Sequence, residues 1–140
     1  MTEPEIALVR DSFRKLGPIA DQAAALFYAR LFEIDPSLRH LFHGEMEAQG
    51  RRLMQMLATV VDSLDDQPVM VQSLRQLGAR HTGYAVRQEH YTSVGAALLW
   101  MLEKGLDGEF TPAVRAAWTK TYALLSDTMI AGARSAAAAA

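Results

Sequence analysis

The sequence predicts an all-α domain whose helices cross around a pocket. Apolar residues recur at intervals of three and four along nearly the whole chain, and no alternating run argues for a sheet. The breaks between periodic segments are short and marked by Gly, Pro and Asp. The predicted helices, about seven, also have unequal lengths, whereas a four-helix bundle wants four long and similar ones.

Ile6, Val9, Phe13 and Leu16 form the first stripe, behind Thr2 as N-cap with Glu5 three residues on. Gly17-Pro18 breaks it. A second helix turns Ala24, Phe27 and Leu31 inward, with Tyr28 and Phe32 beside them. Asp35-Pro36 ends that helix and starts a short one through Leu41-Phe42, because Pro is tolerated in a first turn. Leu53, Leu57, Val60 and Leu64 share the next face, which Asp65-Asp66-Gln67-Pro68 interrupts. Met70, Leu74, Leu77 and His81 follow on one stripe. Val94, Leu98 and Met101 mark a helix from Tyr91, closed at Gly105 and Gly108. Thr111-Pro112 caps the last helix, which carries Val114, Trp118, Tyr122, Leu125 and Met129. Residues 1–135 are read as one domain. Residues 136–140, all alanine, either extend the last helix or form a disordered tail or appended remnant, and they are assigned no role.

Composition narrows the chemistry. Half of the 140 residues are hydrophobic, 21% are charged and the net charge is -2, so nothing points to nucleic acid or an anionic membrane surface. The absence of cysteine excludes disulfides, iron–sulfur clusters, thiolate zinc and cysteine nucleophiles. No stretch approaches the roughly 20 apolar residues of a membrane span, and the N-terminus does not read as a signal peptide. A reducing cytoplasm is the expected compartment.

Three polar groups break the apolar stripes. An imidazole at His81, on a core-facing stripe, must either find a hydrogen-bond partner or hold something. Alone, it reads as a core histidine satisfied by a backbone carbonyl. Gln49 extends the stripe of Leu53, Leu57 and Val60, and Tyr28 lies at the inward edge of the second helix. Each has an ordinary alternative: a helical Tyr with its hydroxyl at the surface, a solvated or capping Gln. A large flat apolar cofactor with a central metal would use all three. Haem iron takes an axial imidazole on one face and, on the other, donors that stabilise a diatomic ligand carrying partial negative charge. Phe42, beside a helix break, offers an aromatic face to such a ring. Other metals fit poorly: there is no HExxH, no repeated Glu-x-x-His and no three-histidine cluster.

The ordered set Phe27-Tyr28…Leu31-Phe32, Pro36…Leu41-Phe42, Gln49…Leu53, Arg80-His81, His90-Tyr91…Val94-Gly95…Leu98 and Ala117-Trp118…Tyr122 resembles the bacterial single-domain haemoglobins and the globin module of flavohaemoglobins. The resemblance runs from about Ile6 to Ile130. It implies a globin fold and haem b, with His81 as the proximal iron ligand whose other N–H is held by an acceptor. It implies Tyr28 and Gln49 as the distal pair, Leu53 crowding the ligand, Phe42 wedged against the haem plane, and Tyr91 and Val94 among the cofactor contacts. Arg52 and Arg80 become candidates for the haem propionates, the alternative being ordinary surface arginines.

Tyr91 matches a tyrosine that, in flavohaemoglobin-like globins, supports the proximal histidine together with a glutamate on the last helix. Here the glutamate position falls near Ala133, and no acid follows Asp127. The expected consequence is a less electron-rich iron and more carrier-like behaviour. His90 is expected at the surface near a helix start. His40 and His43 flank Phe42, and either could serve as a sixth ligand, although Gln49 rather than histidine at the distal site argues against it.

The resemblance implies reversible binding of dioxygen and other diatomic ligands such as carbon monoxide and nitric oxide, for storage, delivery or scavenging. The competing readings are nitric oxide dioxygenation to nitrate and a globin-type gas sensor. The 140 residues contain no Gly-rich dinucleotide motif, so a dioxygenase would need a separate reductase. A monomer or weak homodimer is expected.

Overall fold

The computed structural model describes residues 1–42, 44–81 and 88–139, with the side chains of all but 41, 67, 76–81, 88 and 132–139. Six α-helices and three short 3₁₀ segments are present among the described residues, and no strand. The α-helices are α1 (Glu3–Leu16), α2 (Ala20–Ile34), α3 (Met46–Asp62), α4 (Gln67–His81), α5 (Gln88–Leu106) and α6 (Pro112–Ala139). The 3₁₀ segments are Gly17–Ile19, Pro36–Leu41 and Asp107–Glu109, at the breaks expected from Gly17-Pro18, Asp35-Pro36 and Gly105/Gly108. No helix of the described residues is long and apolar enough to cross a membrane.

Local chemistry explains the helix ends. Thr2 and Glu5 form a reciprocal capping box: Thr2 N–H donates to Glu5 Oε1 at 3.0 Å and Glu5 N–H to Thr2 Oγ1 at 3.3 Å. Asp35 accepts from Ser37 N–H at 3.2 Å, and Thr111 Oγ1 accepts from Val114 N–H at 3.2 Å. At the far end of α3, Arg10 of α1 donates to the Val61 and Asp62 carbonyls, at 3.2 and 3.1 Å. A cation there complements the negative end of the helix dipole and satisfies carbonyls that have no partner within α3. α5 begins at Gln88, earlier than the apolar stripe from Tyr91, because a first helical turn needs no buried face.

α4 packs on α6, α2 on α5 and on α3, and α1 on α6 and α3. Of the residues expected to face inward, Val9, Leu16, Phe27, Leu31, Met70, Leu74, Met101 and Trp118 are buried. α2 and α3 cross closely at Ala24 and Gly50, where a Cβ on Gly50 would stand 3.0 Å from the Ala24 methyl. Periodicity did not anticipate Ser12, which is buried on α1. Its hydroxyl accepts the Trp118 indole N–H at 2.8 Å and lies within hydrogen-bond reach of the Leu8 and Val9 carbonyls, so the polar pair is satisfied between α1 and α6.

Candidate functional site

Tyr28 lies at the centre of the candidate site. It follows Phe27 on α2, is only 8% exposed, and is boxed by three rings. Phe27 meets it edge-on at 5.0 Å, Phe42 edge-on at 5.3 Å, and Phe32 lies stacked at 6.1 Å. Such packing fixes the ring plane and therefore the position of its oxygen. The hydroxyl donates to the main-chain carbonyl of Gln49 at 3.2 Å, joining α2 to the first turn of α3. Burial pushes the Tyr28 hydroxyl up to about 12, against the opposing pull of the Arg52 charge. Tyr28 is therefore a neutral donor at physiological pH.

Phe42 ends the Pro36–Leu41 segment, its N–H donating to the Arg39 carbonyl at 3.3 Å. Its ring touches both Tyr28 and Phe32. Gln49 is half-buried on α3 and Leu53 follows one turn later, also half-buried. Arg52, between them, is exposed. Thus the structure brings together Tyr28, Phe42 and the Gln49 main chain, with Leu53 on the adjoining turn.

On α5, Tyr91 and Val94 are half-buried, and burial raises the Tyr91 hydroxyl above its ordinary value. The main-chain carbonyl of Tyr91 accepts the hydroxyl of Tyr122 from α6. The Tyr122 ring lies directly on Gly95, leaving no room for a side chain there. Sequence reasoning quoted Tyr122 and Gly95 but gave them no role. The available signal was a glycine inside a helix, a costly residue that marks a close approach.

Other expected residues fall elsewhere. His81 is the last residue of α4; its side chain, with those of Leu77 and Arg80, lies outside the described residues, as does His43. His40 is exposed. His90, expected at the surface, is half-buried in the first turn of α5, the turn that also holds Tyr91.

The residues present fit a flat apolar group. Leu53 is half-buried while Leu57 and Val60, farther along α3, are each 3% exposed. Val94 is likewise half-buried while Leu98 and Met101 beyond it are closed off. Each apolar stripe thus becomes less covered toward the expected site, leaving hydrophobic area for a cofactor to bury. A groove of about 710 Å³ runs between α2 and the start of α3 and reaches Tyr28 and Gly50. Asp21, Glu33, Arg39, Glu47 and Arg51 line it beside Ala24, Ala25, Ala29, Phe32 and Met46, and Phe42, Leu53, Tyr91 and Val94 do not.

The sequence model of the globin family matches residues 25–129, more than half of the chain. The chain belongs to the globin family. It is 29% identical to a neuroglobin of Chaenocephalus aceratus over 94% of this chain and 92% of that protein. Identity to a neuroglobin of Danio rerio is 28%, with the same coverage. A flavohemoprotein of Vibrio cholerae is 26% identical over 93% of this chain, which spans 34% of that protein's length. The likeness thus extends to neuroglobins as well as to a flavohemoprotein, and the resemblance holds at the level of the globin family. Membership implies haem binding and diatomic gas ligands for this globin.

Proposed function

We propose that this globin holds haem b through His81 and reversibly binds dioxygen. The observation that carries the reading is the buried, neutral Tyr28 hydroxyl at the α2–α3 crossing, beside Phe42 and one helical turn from Leu53. Bound haem supplies an iron with one position for a diatomic ligand. Tyr28 would donate a hydrogen bond to that ligand, with the Gln49 amide as second donor; Leu53 would crowd the ligand and Phe42 would pack against the haem. Tyr91 and Val94 would be among the haem contacts, Arg80 and Arg52 would meet the propionates, and the protein works in the cytoplasm as a monomer or weak homodimer. Residues 1–135 form the working domain.

A second reading, nitric oxide dioxygenation, draws support from the likeness to a flavohemoprotein. In it, nitric oxide, dioxygen and one electron give nitrate, and a reductase supplies the electron. The visible spectrum tests the shared premise. An intense Soret band on the purified protein, with a ferrous spectrum that changes reversibly under oxygen, is expected. Its absence overturns both readings. His81→Ala should lose stoichiometric haem; correctly coordinated haem in that variant overturns the ligand assignment. Catalytic nitrate formation with a reductase, sustained over many turnovers, favours the second reading.

A further inference from the structure

Tyr28 has one hydroxyl proton, and in this structure the proton is already engaged. Its acceptor is the main-chain carbonyl oxygen of Gln49, 3.2 Å away. That separation exceeds the usual ~2.7–2.8 Å for hydroxyl donors, so the bond is a weak one. The reason lies in the helix. A carbonyl within an α-helix faces the N–H four residues on, here Leu53, and the phenol finds only the remaining lone pair. The ring cannot swing away, because Phe27, Phe32 and Phe42 enclose it. What remains free is rotation of the O–H about its C–O bond.

We propose that the main-chain carbonyl of Gln49 is a specificity-determining group that competes with the bound diatomic ligand for the single Tyr28 proton. The inference rests on the reading of Tyr28 as the ligand's donor and deepens it. A ligand with partial negative charge offers a charge-assisted hydrogen bond, roughly twice as strong as a neutral one, and takes the proton from the carbonyl. A nearly apolar ligand such as carbon monoxide offers less than the carbonyl does, and the proton stays where it is. Dioxygen is thus held by Tyr28 and carbon monoxide is not.

Gln49-Gly50 is the only Gln-Gly pair in the chain. Labelling glutamine carbonyl carbons with ¹³C and glycine nitrogens with ¹⁵N therefore isolates the Gln49 carbonyl as one nuclear magnetic resonance signal. The measurement uses the haem-loaded protein and its Tyr28→Phe variant, each with carbon monoxide and with dioxygen, both diamagnetic forms. With carbon monoxide, Tyr28→Phe should shift the Gln49 carbonyl signal; with dioxygen, the two proteins should coincide. In parallel, dioxygen should leave Tyr28→Phe on the order of tenfold faster than the parent, with carbon monoxide within about twofold. A carbonyl shift of equal size in both forms, or none in either, overturns the competition even where dioxygen dissociation quickens. An unchanged dioxygen off-rate removes Tyr28 from the ligand and overturns the reading beneath the inference.

Discussion

Gly95→Ala should destabilise this globin, although alanine is the better helix former. A Cβ added at Gly95 would stand 2.7 Å from Tyr122 Cε2, 3.0 Å from Cδ2 and 3.3 Å from Cζ. Carbon atoms prefer about 3.5–4.0 Å, so the ring must move by most of an ångström. It cannot do so freely, because its hydroxyl is anchored on the Tyr91 carbonyl. Overpacking of this kind costs about 1–3 kcal/mol, and displacing the hydroxyl costs about 1 kcal/mol more. Relief of the glycine penalty returns about 1 kcal/mol. The net expectation is a loss of roughly 1–3 kcal/mol, read as a lower urea midpoint at unchanged slope with haem content held equal. The decisive comparison is a double-mutant cycle. In a Tyr122→Ala background the obstacle is gone, and Gly95→Ala should stabilise by about 0.5–1 kcal/mol. The same sign in both backgrounds, or additivity within about 0.5 kcal/mol, refutes the reasoning.

Ser12→Ala should cost about 1–3 kcal/mol, because it leaves the buried Trp118 indole N–H without its acceptor; a urea midpoint unchanged from the parent contradicts this. Tyr28, Tyr91 and Tyr122 all have raised hydroxyl values, Tyr28 to about 12 against an ordinary 10.0, so their folded forms keep protons that the unfolded chain releases. Stability from this source is intact below pH 10 and lost as pH rises toward about 12, and Tyr28→Phe should lessen the loss in alkaline melting curves. Glu5 acts in the opposite sense. The Lys120 ammonium, with Thr2 second, holds its carboxyl down to about 2 from 4.5, so its contribution is present above 4.5 and fades on acidification toward 2, which melting curves of Glu5→Gln should no longer show. With Ala133 near the expected glutamate position, the iron–histidine stretch in resonance Raman spectra of the ferrous protein should lie below that of flavohaemoglobins; an equally high frequency refutes this expectation.

Much of the architecture was legible because it rests on local rules. The capping box at Thr2/Glu5, the Asp35-Pro36 and Thr111-Pro112 starts and the three-four spacing of core residues each act within a few positions. Tyr28 and Gln49 were legible for a related reason: a polar residue on an apolar stripe is visible in one dimension. Ser12 was not, because a serine on the edge of a stripe looks solvated until its indole partner arrives from a helix far along the chain.

The sequence by itself determined that the chain is helical, where its helices break, and which polar groups interrupt the apolar faces. These follow from propensity and periodicity, which need no distant partner. Only the tertiary structure decided how those groups are used. It turned the Tyr28 hydroxyl onto the Gln49 main-chain carbonyl, and laid Tyr122 across Gly95 to hold the start of α5. Both are contacts between helices, and their geometry depends on crossing distances set by the packing of whole faces.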